Sequence, residues 1–237
     1  MSYFLIAALI GLLILVHEAG HLWAARRLGL PVARFSIGFG PALFRWRRGA
    51  TEYRLSALPL GGYVLLDLED PEDYFAVPLA RRIAFSAAGP LANLVLPLPL
   101  FAALNALSGD LSLHGLLLAP VAQTLDAALR IAALLPSVFA SPENLSGLVG
   151  IVAHSQALTL SVERTLTFAS LMSINLAIFN LLPLPLLDGG KIALDLVHRV
   201  SPRGALRYLE PVTTGGLILL VALFVLVTAL DIFRLAA

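Results

Sequence analysis

Residues 2–25 read SYFLIAALIGLLILVHEAGHLWAA, and this stretch decides the fold. From Phe4 to Val16 no side chain is polar; then His17, Glu18 and His21 arrive within five residues. A membrane-crossing helix needs about 20 mostly apolar residues. Ionisable groups inside one are costly, which makes them functional candidates by default. On a helix, residues i and i+4 lie on one face. Two imidazoles so placed can grip one metal ion, and the neighbouring Glu18 can activate a water bound to it. The competing reading is a set of interfacial polar groups near the helix end. A cleaved signal peptide fits poorly, because Met1–Tyr3 carries no basic residue and cleavage after the run would discard His17 and Glu18. The helix is expected to be retained.

Composition agrees with a membrane protein. Of 237 residues, 59% are hydrophobic and 13% charged, whereas soluble domains sit near 45–50% and about 25%. A net charge of +1 argues against a nucleic-acid partner. With no cysteine in the chain, a metal must be held by His, Asp or Glu. Spans are expected at about 2–25, 83–107, 160–182 and 212–233. The segment 113–139 is apolar but contains Asp126, Arg130, Pro120 and Pro136, and its pattern fits an extracytoplasmic amphipathic helix on the membrane surface. Nine arginines lie between the first and second spans, and Lys191, Arg199, Arg203 and Arg207 between the third and fourth. Basic loops collect in the cytoplasm, so both termini are expected outside and the end of the first span on the cytoplasmic side.

Between the first two spans, residues 32–66 hold Gly38, Gly40, Pro41, Gly49, Gly61 and Gly62 among short aromatic and aliphatic runs. These predict strands joined by turns, and their apolarity suggests a small membrane-associated sheet beside the site. The acidic stretch 67–80 reads as a solvated connector. The expected fold is mainly α: a polytopic membrane protein of about four transmembrane helices with that β region, organised as a single domain over 1–237.

A catalytic zinc takes three protein ligands and keeps one position open, so His17 and His21 need a partner. Asp188 is the best candidate, in NLLPLPLLDGG at 180–190. Pro183 and Pro185 end the preceding helix, the chain runs extended to a turn at Gly189–Gly190, and Asp188 reaches the same side as the two histidines. A helix-capping role for Asp188 is the alternative. Asp195 is a weaker competitor, expected to be solvated. His114, His154 and His198 are expected to be solvated or structural, and Asn93 and Asn175 to be helix-packing residues.

HEAGH in a first span with N-x-x-P-x-P-x-L-D-G-G near a third resembles the site-two protease family of intramembrane zinc metalloproteases. The stretches Phe35–Pro41, Glu52–Leu55, Leu60–Val64, Ala88–Asn93 and Ser146–Ile151 are similar to its bacterial regulator-of-sigma-E protease branch. The resemblance implies one Zn²⁺ ion on His17, His21 and Asp188, with Glu18 as general base. It implies substrate-binding roles for Asn180 and, in the β region, for Gly61, Gly62 and Tyr63. The implied activity is hydrolysis of peptide bonds within or near transmembrane segments of other proteins, anti-sigma factors or remnant signal peptides among them, in the bacterial cytoplasmic membrane. That branch carries PDZ domains between its second and third spans; about 40 residues occupy the gap here, too few for one. A metal-ion transporter or an inactive scaffold that binds transmembrane helices are the other readings. The sparse polar residues of the second and fourth spans oppose the first, and intact Glu18 opposes the second.

Overall fold

A computed structural model describes residues 2–68, 70–140, 161–204 and scattered positions between 211 and 229. Helix α1 (Ser2–Arg27) leads into two long bent strands, β1 (Val32–Arg48) and β2 (Thr51–Leu66). A short α2 (Pro71–Ala76) precedes α3 (Leu79–Val95) and α4 (Pro97–Leu107), and a π-helical turn at His114–Leu118 opens α5 (Ala119–Ala140). Then come α6 (Val162–Asn180) and α7 (Asp188–Val200). The mainly α architecture with a sheet after the first helix is the one the sequence predicts.

Among the described residues, three stretches are long and apolar enough to cross a membrane: Leu5–Arg27, Leu79–Leu107 and His114–Pro136. The first two match expected spans. The third is the segment read above as a surface helix, and its length and composition suit a span. Helix α6, within the expected third span, is not among these three. Glu163 and Arg164 occupy its first turn, and its Ser170 and Ser173 are turned inward and fully buried. Most of the expected span at 212–233 lies outside the described residues.

The sheet is built by folding two strands back on themselves. The pairs from Phe44↔Leu55 to Arg48↔Thr51 form an antiparallel hairpin. The first half of β1 lies between two parts of β2, with Phe35 opposite Tyr53 on one side and Val64 on the other. Gly38 and Gly40 turn the chain at positive φ, which a glycine adopts without steric cost. Val32 and Phe35 are buried, whereas Leu43, Phe44 and Trp46 of the hairpin are exposed. The inner half of the sheet packs on the end of α1 and the start of α3 through Ala25, Leu30, Val32 and Phe85, with Val64 and Leu66 against them.

Helix α3 is the hub, touching α1, α6 and α7. Close approach to α1 depends on Gly20, where a Cβ would stand 2.5 Å from the Ala88 carbonyl oxygen and 2.8 Å from Ala92 Cβ. Small residues at such crossings let helix backbones meet where apolar burial alone gives no drive. The contact between α3 and α7 is polar and buried. Arg82 Nε lies 3.4 Å from Asp195 Oδ1, and Tyr74 of α2 donates to Asp195 Oδ2 at 3.2 Å. Asp195 is therefore not solvated, as its polarity predicts, but fully buried. Arg82 also covers the Tyr74 and Phe75 rings, and Phe75 stacks on His198 at 3.9 Å. The acidic connector thus contributes a docked helix.

Candidate metal centre

Helix periodicity brings His17 and His21 to one face of α1, both buried. Asp188, 171 residues after His17, meets them. His17 Nε2 and His21 Nε2 stand 3.0 and 3.1 Å from Asp188 Oδ2 and 3.2 Å from each other. A tetrahedral ion with bonds of about 2.0–2.1 Å spaces neighbouring donors by about 3.3–3.4 Å. The near-equilateral triangle therefore fits the base of a zinc tetrahedron, two neutral nitrogens and a carboxylate being an ordinary catalytic zinc donor set. His21 Nδ1 donates to the Phe85 carbonyl oxygen at 2.8 Å, which turns its Nε2 toward the triangle.

Asp188 arrives by a route the sequence reading described only in part. The chain does not turn at Gly189–Gly190; those residues belong to the first turn of α7, which begins at Asp188. The turn comes earlier, at 181–187, where Leu186 has φ 73°, a value uncommon for a residue with a Cβ. Loop carbonyls then fold against the helix start. A Cβ on Gly189 would lie 2.1 Å from Leu181 O, and one on Gly190 2.0 Å from Leu184 O. The two glycines let the loop close over α7 and aim Asp188 inward. Its other oxygen, Oδ1, accepts from Lys191 Nζ at 3.0 Å, one turn along.

The triangle opens into a cavity of about 170 Å³ lined by His17, Glu18, His21, Gly62, Tyr63, Val64, Phe85, Asn180, Leu186, Asp188 and Lys191. Glu18 is buried in its wall, and β2 lies directly over it: a Cβ on Gly62 would sit 2.6 Å from Glu18 Cγ. Of the expected substrate-contacting residues, Asn180, Gly62 and Tyr63 line the cavity. Asn180 Nδ2 donates to Leu176 O of its own helix at 2.9 Å. Gly61 is outside the lining and packs on the Phe39 ring, against which a Cβ would stand at 2.5 Å.

Three features escaped the sequence reading. Gly89 of α3 lies under both imidazoles, where a Cβ would be 2.2 Å from His21 Nε2 and 2.7 Å from His17 Nε2. Asn93 does pack between helices, as expected, but its partner there is one the sequence reading did not name: its side chain reaches His17 Nδ1 at 3.4 Å. Lys191 sits on the cavity wall beside Asp188. The Ala88–Asn93 motif carried the first two signals, but nothing in its pattern says which helix face meets α1.

Peptidase family M50 matches residues 4–223. The chain belongs to peptidase family M50. Regulator of sigma-E protease RseP of Escherichia coli (strain K12) is 46% identical over 109 residues, covering 40% of this chain and 23% of that protein. A Chlamydia trachomatis protein provisionally named a zinc metalloprotease is 46% identical over 117 residues, 42% of this chain and 19% of its own length. A similarly named Clostridium perfringens protein, CPE1693, is 29% identical over an alignment covering 93% of this chain and 95% of that protein. The chain spans only 19–28% of the first relatives it matches. As an M50 chain, it has zinc as the metal expected at His17, His21 and Asp188.

Proposed function

We propose that this M50 chain hydrolyses peptide bonds within or near transmembrane segments of membrane-anchored proteins. The observation that carries the reading is the convergence of His17, His21 and Asp188 with buried Glu18 in one cavity, on a helix apolar enough to cross a membrane. A zinc ion held by the three ligands would supply Lewis acidity, polarising the scissile carbonyl and acidifying a water. Glu18 accepts the proton of the attacking water and returns it to the leaving amine. Asn180, at the cavity wall, offers hydrogen bonding to an unwound substrate backbone, whose bare amides are expensive to bury unpaired. Gly62 and Tyr63 at the end of β2 present strand backbone beside Glu18, suited to receive an extended peptide by strand addition. Gly61 shapes that strand from behind.

The resemblance to regulator-of-sigma-E proteases makes membrane-anchored anti-sigma factors the first substrates to try, with remnant signal peptides second. The basic-residue distribution supports a multi-pass arrangement in the bacterial cytoplasmic membrane, termini outside and the site near the cytoplasmic face. The whole chain, 1–237, acts as one catalytic unit embedded in the lipid bilayer, and no nucleic acid takes part.

The test is Glu18→Gln in a reconstituted assay with a model transmembrane substrate. Zinc binding is expected to persist and cleavage to fall by about 10²–10⁴-fold. Unchanged cleavage with zinc bound removes Glu18 from the reaction. A wild type that transports metal and cuts no transmembrane substrate replaces the protease reading with the transporter one.

A further inference from the structure

We infer that Asn93 is the positioning residue of His17: its side-chain carbonyl accepts the Nδ1–H of His17 and so fixes the tautomer that leaves Nε2 bare for the metal. The inference rests on the zinc reading of the site above. A neutral imidazole carries one N–H, and whichever nitrogen binds a metal must lack it. His21 meets this condition through the Phe85 carbonyl. His17 needs an acceptor at Nδ1 in the same way, and the polar side chain there is Asn93, with its amide nitrogen 3.4 Å away. As oriented, the amide sets N–H against N–H once Nε2 is bare, while Asn93 Oδ1 is buried without a partner. Oxygen and nitrogen of an amide are exchanged by a half-turn. That half-turn sets the carbonyl oxygen on His17 Nδ1.

The placement is held from both sides. Asn93 is fully buried, and its backbone oxygen accepts from Ser173 Oγ of α6 at 2.8 Å. Phe85, Gly89 and Asn93 recur every four residues along one face of α3. Phe85 supports His21, Gly89 lies under both rings and Asn93 supports His17. One helix face thereby supplies a partner for each ligand histidine. Such partners orient the ring and raise its affinity for the ion, and their loss typically costs 10–100-fold in metal affinity.

The experiment compares full-length wild type, Asn93→Leu and Asn93→Asp in detergent. It measures zinc affinity by chelator competition and ligand geometry by the d–d absorption of the cobalt(II)-substituted protein. Asn93→Leu, similar in volume but without an acceptor, is expected to bind zinc about 10–100-fold more weakly, with an altered cobalt spectrum and unchanged helicity. Asn93→Asp keeps an acceptor and is expected to stay within about threefold of wild type, with its cobalt spectrum. Leucine binding as tightly as wild type overturns the inference, as does aspartate binding as weakly as leucine. Should the leucine variant not fold, the aspartate variant decides alone: retained affinity supports the role and a tenfold loss overturns it. A wild type that binds no zinc refutes the metal centre itself, a result separable from either variant's behaviour.

Discussion

Adding one methyl group at Gly89 is expected to remove zinc from this protein. A Cβ there would stand 2.2 Å from His21 Nε2, against the 3.4 Å at which ordinary contact begins, so the ring must retreat by about 1.2 Å. Metal–ligand distances tolerate about 0.2 Å. His17 Nε2 is also too close, at 2.7 Å, so both histidines are displaced together. Moving α3 off α1 to relieve the clash would open the close contact in which Gly20 lies against the Ala88 carbonyl. Loss of proper ligation by either ring is expected to weaken zinc binding by at least about 100-fold, roughly 2.8 kcal/mol at about 1.4 kcal/mol per tenfold. The overpacking itself costs the fold about 1–3 kcal/mol. The assay is zinc competition in detergent, with circular dichroism to show that the variant is folded. Gly11→Ala, where a Cβ meets nothing within 4 Å, serves as the control and is expected to bind zinc normally. If Gly89→Ala retains zinc affinity within threefold of wild type, the packing of α3 against the ligand rings is not as described.

Two further perturbations probe the walls around the ligands. Gly62→Ala drives a Cβ into Glu18 Cγ and is expected to lower cleavage by about tenfold or more while zinc affinity is kept; equal loss of both would place Gly62 with the ligands instead. Arg82→Leu breaks the buried pair with Asp195 that joins α3 to α7, an expected cost of about 3–5 kcal/mol in detergent unfolding. The same pair sets a pH dependence. Burial pushes the Asp195 carboxyl up to about 6, with Arg82 the main opposing influence. The folded state therefore holds a proton that the unfolded chain releases near 4, and this group's contribution to stability falls as pH rises from about 4 to about 6. Without Arg82 the upper end of that window is expected to move to higher pH, and a downward shift in pH-resolved unfolding curves would contradict the assignment.

The sequence by itself determined which residues are candidates for the chemistry. The i, i+4 spacing of His17 and His21 follows from helix geometry wherever α1 lies, and Glu18 is bound to them by adjacency. The need for a third ligand, and the absence of cysteine to provide it, led to Asp188 before any contact was known. Apolar length announced α1 and α3–α4 as helices able to cross a membrane, because that signal is local and additive.

Tertiary structure alone decided which polar residues face inward. Asp195 and Asn93 are as polar in sequence as any solvated residue, yet both are fully buried because other elements supply their surroundings. The same holds for α6, whose Ser170 and Ser173 point into the protein. Gly189 and Gly190 read as a turn and Gly89 as one residue of a span motif, whereas all three are small where rings or carbonyls press close. Periodicity reports what a residue is and which face it shares; only the packed neighbours determine what that face meets. For the HEAGH motif, the sequence named the candidate ligands, and the fold of α3 and of the 181–187 loop gave them their distances.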